Sequence, residues 1–60
     1  MSATAALRAR VVIGEPDAAV GAAHRRVLEA AGHQVAVATD AAGVLQEMER
    51  GEIDLLLLEW

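Results

Sequence analysis

Glu15 and Glu59 are the residues of this sequence whose type and position best suit them to chemistry. Each follows an apolar run: Glu15 comes after Arg10-Val11-Val12-Ile13-Gly14, and Glu59 after Leu55-Leu56-Leu57-Leu58. A carboxylate at the carboxyl end of a buried strand sits where open α/β sheets place their ligands. Two carboxylates at one crevice could serve as general acid and base, but no third catalytic group is visible beside them. An enzyme is therefore not expected, and no residue is given a catalytic role. The other candidates read more simply. Asp40 suits a helix N-cap. His24 and His33 lie apart in the pattern without companion ligands, which argues against a metal centre built on them. Gly14 and Gly21 do not complete a Gly-x-Gly-x-x-Gly fingerprint, and no Gly-Lys-Ser/Thr loop occurs, so no cofactor-binding residues are assigned.

The elements that must position these residues follow from the pattern. Val11-Val12-Ile13, closed by Gly14, predicts a short buried strand over 10–14. Pro16, with its φ fixed and no N–H, opens a helix, and Asp17 or Glu15 falls near the positive end of that helix's dipole. From Ala18 to Ala31, Val20, Ala23, Val27, Leu28 and Ala31 recur at helical spacing while Arg25, Arg26 and Glu29 fall largely opposite, which predicts an amphipathic helix with the apolar stripe inward. Gly32 supplies the left-handed residue that ends it. Val35 to Ala38 reads as a second strand, Thr39-Asp40 as an N-cap, and Ala41 to Arg50 as a second helix with Val44 or Leu45 and Met48 inward and Gly51 beyond. The uniformly apolar run within 54–59 predicts a third strand, buried on both faces of a parallel sheet.

Strand, helix, strand, helix, strand implies parallel pairing with the helices as crossovers. If the third strand lies on the far side of the first from the second, the order is 2-1-3 and a switch point opens between strands one and three. Glu15 and Glu59 then stand together at its mouth.

Composition narrows the partners. Sixty residues allow one domain, read here as 10–60 behind a flexible tail over 1–9. No cysteine is present, so neither a disulfide nor a thiolate metal site can brace the fold. The net charge is −4 and every basic residue is arginine. That balance disfavours nucleic acid and anionic membrane surfaces as partners. No apolar stretch approaches the ~20 residues of a membrane span, and no secretory signal pattern opens the chain, so a cytoplasmic protein is expected.

Val11-Val12-Ile13-Gly14-Glu15-Pro16-Asp17, Arg25-Arg26-Val27-Leu28-Glu29-Ala30-Ala31-Gly32-His33, Ala38-Thr39-Asp40-Ala41-Ala42 and Ile53-Asp54-Leu55-Leu56-Leu57-Leu58-Glu59-Trp60 together resemble the amino-terminal half of a response-regulator receiver domain of two-component signalling. The resemblance spans Arg10 to Trp60. It implies a flavodoxin-like α/β fold, truncated to β-α-β-α-β with order 2-1-3. In that family an acidic pair after strand one holds Mg²⁺, and an Asp after strand three accepts a phosphoryl group from phosphohistidine. Residue by residue, Glu15 matches the first acid, Pro16 the second, and Glu59 the phosphoacceptor. Pro16 has no carboxylate, so the resemblance implies a weak Mg²⁺ site at best, on Glu15 with Asp17 and Glu59 as contributors. Glu59 is longer than the family's Asp by one methylene, and phosphoryl transfer depends on positioning. The family's hydroxyl after strand four and lysine after strand five would follow Trp60. The resemblance therefore implies a receiver-like phosphorelay module that is not itself phosphorylated, with a histidine kinase or an output domain as protein partner. The alternative is a small non-catalytic interaction or assembly unit that keeps only the fold. In either case the apolar edge over 54–59 is expected to leave the isolated chain self-associating or only partly folded.

Overall fold

Two β-branched or leucine-rich runs and one alternating run form strands, and the two segments between them form helices. The computed structural model describes residues 8–59. Strands β1 (Arg10–Gly14), β2 (Gln34–Ala38) and β3 (Leu55–Leu58) alternate with helices α1 (Ala18–Ala30) and α2 (Ala41–Glu49). The sheet is parallel with order β2-β1-β3. Gly14 stands opposite Ala38 on one side and Leu58 on the other.

Both helices start on aspartate. Asp17 Oδ1 accepts from the N–H of Ala19 (2.9 Å) and of Val20 (3.3 Å), and Asp40 Oδ1 accepts from the N–H of Gly43 (2.7 Å). Each bond satisfies an amide that the helix itself leaves free. Helix α1 ends in the expected left-handed turn at Gly32 (φ +96°), where the N–H of Gly32 reaches Glu29 O and that of His33 reaches Leu28 O.

The core is centred on β1. Val11, Val12 and Ile13 are 1% exposed or less, joined by Ala38 and Val44. Helix α1 lies on the sheet face that carries Val37. A Cβ built on Gly21 would stand 2.7 Å from Val37 Cγ1, so the missing side chain sets how closely helix and sheet approach. Helix α2 covers the opposite face, with Gly43 over Ala38. Both helices pack on β1 and β2, and neither packs on β3.

That placement corrects three expectations. The α1 stripe is seated along one flank only: Gly21 is buried and Leu28 half-buried, whereas Ala23 and Ala31 are exposed, as are Val20 and Val27, the last at 70%. The flank bearing Val27 overhangs the side of the sheet that α1 does not cover. In α2, Val44 points inward, while Leu45 and Met48 are exposed. The third strand is not buried on both faces: Leu55 and Leu58 are 45% and 51% exposed, because among the described residues β3 is an edge strand with neither helix packed on it. Of the expected tail, residues 1–7 lie outside the described residues, as does Trp60. Arg8 and Ala9 are held to the β2 side: Arg8 Nε donates to Gly32 O, Ala9 N–H donates to His33 Nδ1 at 3.0 Å, and Ala9 O accepts from Gln34.

Candidate functional site

The crossover at α1 sends the chain to β2 on one side of β1, and the crossover at α2 returns it to β3 on the other. The carboxyl ends of β1 and β3 are therefore neighbours at a switch point. With Gly14 opposite Leu58, the next residue on each strand is a glutamate. The N–H of Glu59 donates to Gly14 O at 2.8 Å, and that of Glu15 donates to Ala38 O at 2.9 Å, so both backbones are fixed to the ends of the ladders. Adjacent parallel strands run about 4.8 Å apart, which sets the backbone separation of the pair.

The side chains share a face. Glu15 is half-buried, with Cβ and Cγ facing Gly21 of α1. Glu59 is exposed and lines a groove of ≈ 310 Å³ with His24, Val27, Leu28, Leu57 and Leu58. Both side chains thus lie on the α1 side of the sheet's carboxyl edge, a side on which the sequence reading was silent.

Asp17 is placed differently. Its Oδ1 is engaged by two α1 amides, so its carboxylate serves first as a cap. Among the described residues no group of three or more His, Cys, Asp or Glu is arranged to hold a metal ion. A Mg²⁺ ion at this edge would find two carboxylates, Glu15 and Glu59, and would draw the rest of its octahedron from water or main-chain oxygen.

The edge is rich in acid: Glu15, Asp17, Asp40 and Glu59 all follow strand ends. The ion pairs among the described residues lie elsewhere, Arg10 with Glu47, Arg25 with Glu29, and Arg50 with Glu47. Arg10 organises the opposite edge of the sheet. Its N–H meets Asp54 Oδ2 at 2.8 Å and its guanidinium reaches Glu52 O and Glu47 Oε1, so one side chain ties β1 to α2 and to the loop before β3. Sequence reasoning missed this role, and it missed His24 as a groove residue. The i, i+4 spacing of His24 and Leu28 on α1 was the available signal for the second.

No family model, curated protein or solved structure matches the chain. None of the described helices is long and apolar enough to cross a membrane.

Proposed function

We propose that the chain is a receiver-like module of two-component phosphorelay signalling, with a flavodoxin-like fold and a silent acceptor position at Glu59. The observation that carries this reading is the Glu15 and Glu59 pair at the β1/β3 switch point, the two positions where the resemblance asks for a metal-binding acid and a phosphoacceptor. The module works without turnover, by presenting a surface to a protein partner such as a histidine kinase or an output domain. Silence follows from the residues themselves. Glu59 displaces the nucleophilic oxygen by a methylene, and Pro16 leaves Glu15 without its acidic companion. Mg²⁺ binds weakly here. The open groove beside Glu59 favours, as a second reading, an interaction unit that keeps the fold alone.

Incubation with a small-molecule phosphodonor and Mg²⁺, followed by intact-mass analysis, tests the proposal. The expected spectrum shows the unmodified chain only. Glu59→Asp combined with Pro16→Asp is expected to yield at most a trace of adduct. Substantial phosphorylation of the unmodified chain would overturn the reading of Glu59 as silent.

A further inference from the structure

At the amino-terminal end of the sheet, the backbone ladder between β1 and β2 finishes on a side chain. The carbonyl of Ala9 accepts from the N–H of Gln34 at 2.9 Å, so a regular parallel ladder would send the N–H of Ala9 to the carbonyl of Gly32. The N–H of Glu15, which meets Ala38 O, keeps that phase at the other end. At Ala9 the pattern breaks. Gly32 lies in the left-handed turn that ends α1, and its carbonyl accepts instead from Arg8 Nε at 3.2 Å. The N–H of Ala9 donates to Nδ1 of the half-buried His33 at 3.0 Å. An imidazole stands where the ladder calls for a peptide carbonyl.

The substitution makes this one link titratable. A carbonyl accepts at every pH, whereas an imidazole nitrogen accepts only while it carries no proton. With Nδ1 accepting, the single proton of the neutral ring sits on Nε2. A second proton puts an N–H on Nδ1, and two donors then face each other. The surrounding charges do not offset that loss. Arg8 brings a guanidinium to the same turn. The last turn of α1 brings Glu29, whose carboxylate is engaged by Arg25 at 3.0 Å. Gln34, next along β2, is uncharged, and Arg10 and Glu47 pair with one another toward α2. Among the described residues no carboxylate forms an ion pair with His33.

We propose that His33 is a proton-operated clasp on the chain entering β1. Neutral, it holds the Ala9 amide and seats Arg8 and Ala9 beside β2; protonated, it releases them. The sheet itself stays closed, because from Arg10 onward β1 is paired on both sides and the N–H of Arg10 is held by Asp54 Oδ2. The link is complete where the ring is neutral and is lost as pH falls through the interval, about pH 8 to about pH 5, in which imidazoles ordinarily take up a proton. Release changes the surface at the amino-terminal end of the sheet and leaves the Glu15 and Glu59 edge at the opposite end untouched. This inference is independent of the phosphorelay reading.

Nuclear magnetic resonance of the isotope-labelled chain tests it. At high pH the ring nitrogens of His33 should report the proton on Nε2. On acidification, protection of the Ala9 amide from hydrogen exchange, corrected for the intrinsic effect of pH, should fall by roughly two- to tenfold, the worth of one hydrogen bond. The amides of Val11 and Ile13 should keep theirs. The fall should track protonation of His33 and not that of His24, the exposed histidine of α1. His33→Asn places a carbonyl oxygen on the same γ carbon that bears Nδ1, so Ala9 should stay protected at every pH in that variant; His33→Phe keeps a ring without an acceptor and should leave Ala9 poorly protected throughout. A proton on Nδ1 at high pH, Ala9 protection that does not change with pH, the same pH-dependent loss in His33→Asn, or a loss shared by Val11 and Ile13 would overturn the proposal. Should a variant fail to fold, the titration of the unmodified chain decides it.

Discussion

Strands β1 and β3 are both short apolar runs that end beside a glutamate, yet they occupy opposite environments. Val11, Val12 and Ile13 sit between two strands and beneath two helices and lose almost all contact with solvent, whereas among the described residues β3 has one strand beside it and only the flank of α1 bearing Val27 across an open groove. The difference teaches that an apolar run specifies a strand but not its coverage. What decides burial is where the crossovers travel, and both travel over β1 and β2. Stability is therefore concentrated on the β1–β2 side, while the β3 side carries the exposed glutamate and the groove.

The comparison is broken most severely at Ile13. Ile13→Ala removes the largest fully buried side chain of the core and should cost about 2 to 5 kcal/mol. Leu58→Ala, measured at concentrations where the chain is monomeric, should cost about 0.5 kcal/mol or less, because that side chain is half exposed. A chain of this length commands only about 3 to 9 kcal/mol in total, so urea titration by circular dichroism should find Ile13→Ala largely unfolded and Leu58→Ala close to the parent.

A smaller effect comes from the α1–sheet approach. Gly21→Ala inserts a methyl 2.7 Å from Val37 Cγ1, and the overpacking should outweigh the gain in helix propensity, for a net loss of about 1 kcal/mol. Adding Val37→Ala removes the clashing methyl, so the double variant should lose less than the sum of the two single changes in a thermodynamic cycle. Additive losses would place α1 farther from β2 than described.

The smallest contrast separates two exposed carboxylates. Asp40→Ala removes the α2 cap and should cost about 1 kcal/mol, whereas Glu59→Gln should leave stability within about 0.5 kcal/mol of the parent, because Glu59 is exposed and among the described residues no hydrogen bond reaches its carboxylate. Denaturant midpoints of the two variants check this directly. A large loss on Glu59→Gln would assign that carboxylate to the fold and not to a surface presented to partners.

Much of this was readable in the sequence. The bounds of β1, the Asp40 cap and the left-handed Gly32 follow from local rules: branched runs, short polar side chains before helices, and glycine where a helix ends; the Asp17 cap was read only as a charge near the helix dipole, and the meeting of Glu15 with Glu59 also needs the 2-1-3 strand order. Packing between elements was less legible. Val20 and Val27 carry the helical period as clearly as Leu28 does, but which flank of the stripe meets the sheet depends on Gly21, whose contribution is an absent side chain. Likewise the choice of Val44 over Leu45 depends on where α2 crosses β1 and β2. Arg10 reads as the first residue of a strand, and its bonds to residues more than thirty positions away belong to the tertiary fold.

Glu15 and Glu59 meet at one edge because the hydrogen bond from the Glu59 amide to Gly14 O holds the end of β3 against β1. Nuclear magnetic resonance of the doubly labelled chain can detect that bond through the coupling between the Glu59 amide nitrogen and the Gly14 carbonyl carbon. The predicted result is a measurable coupling, together with an amide at Glu59 that exchanges more slowly than that of Asp17, which opens a helix and faces solvent. No coupling to Gly14, with a Glu59 amide exchanging as freely as an open loop, would mean that β3 does not close against β1 and that the two carboxylates do not share a site.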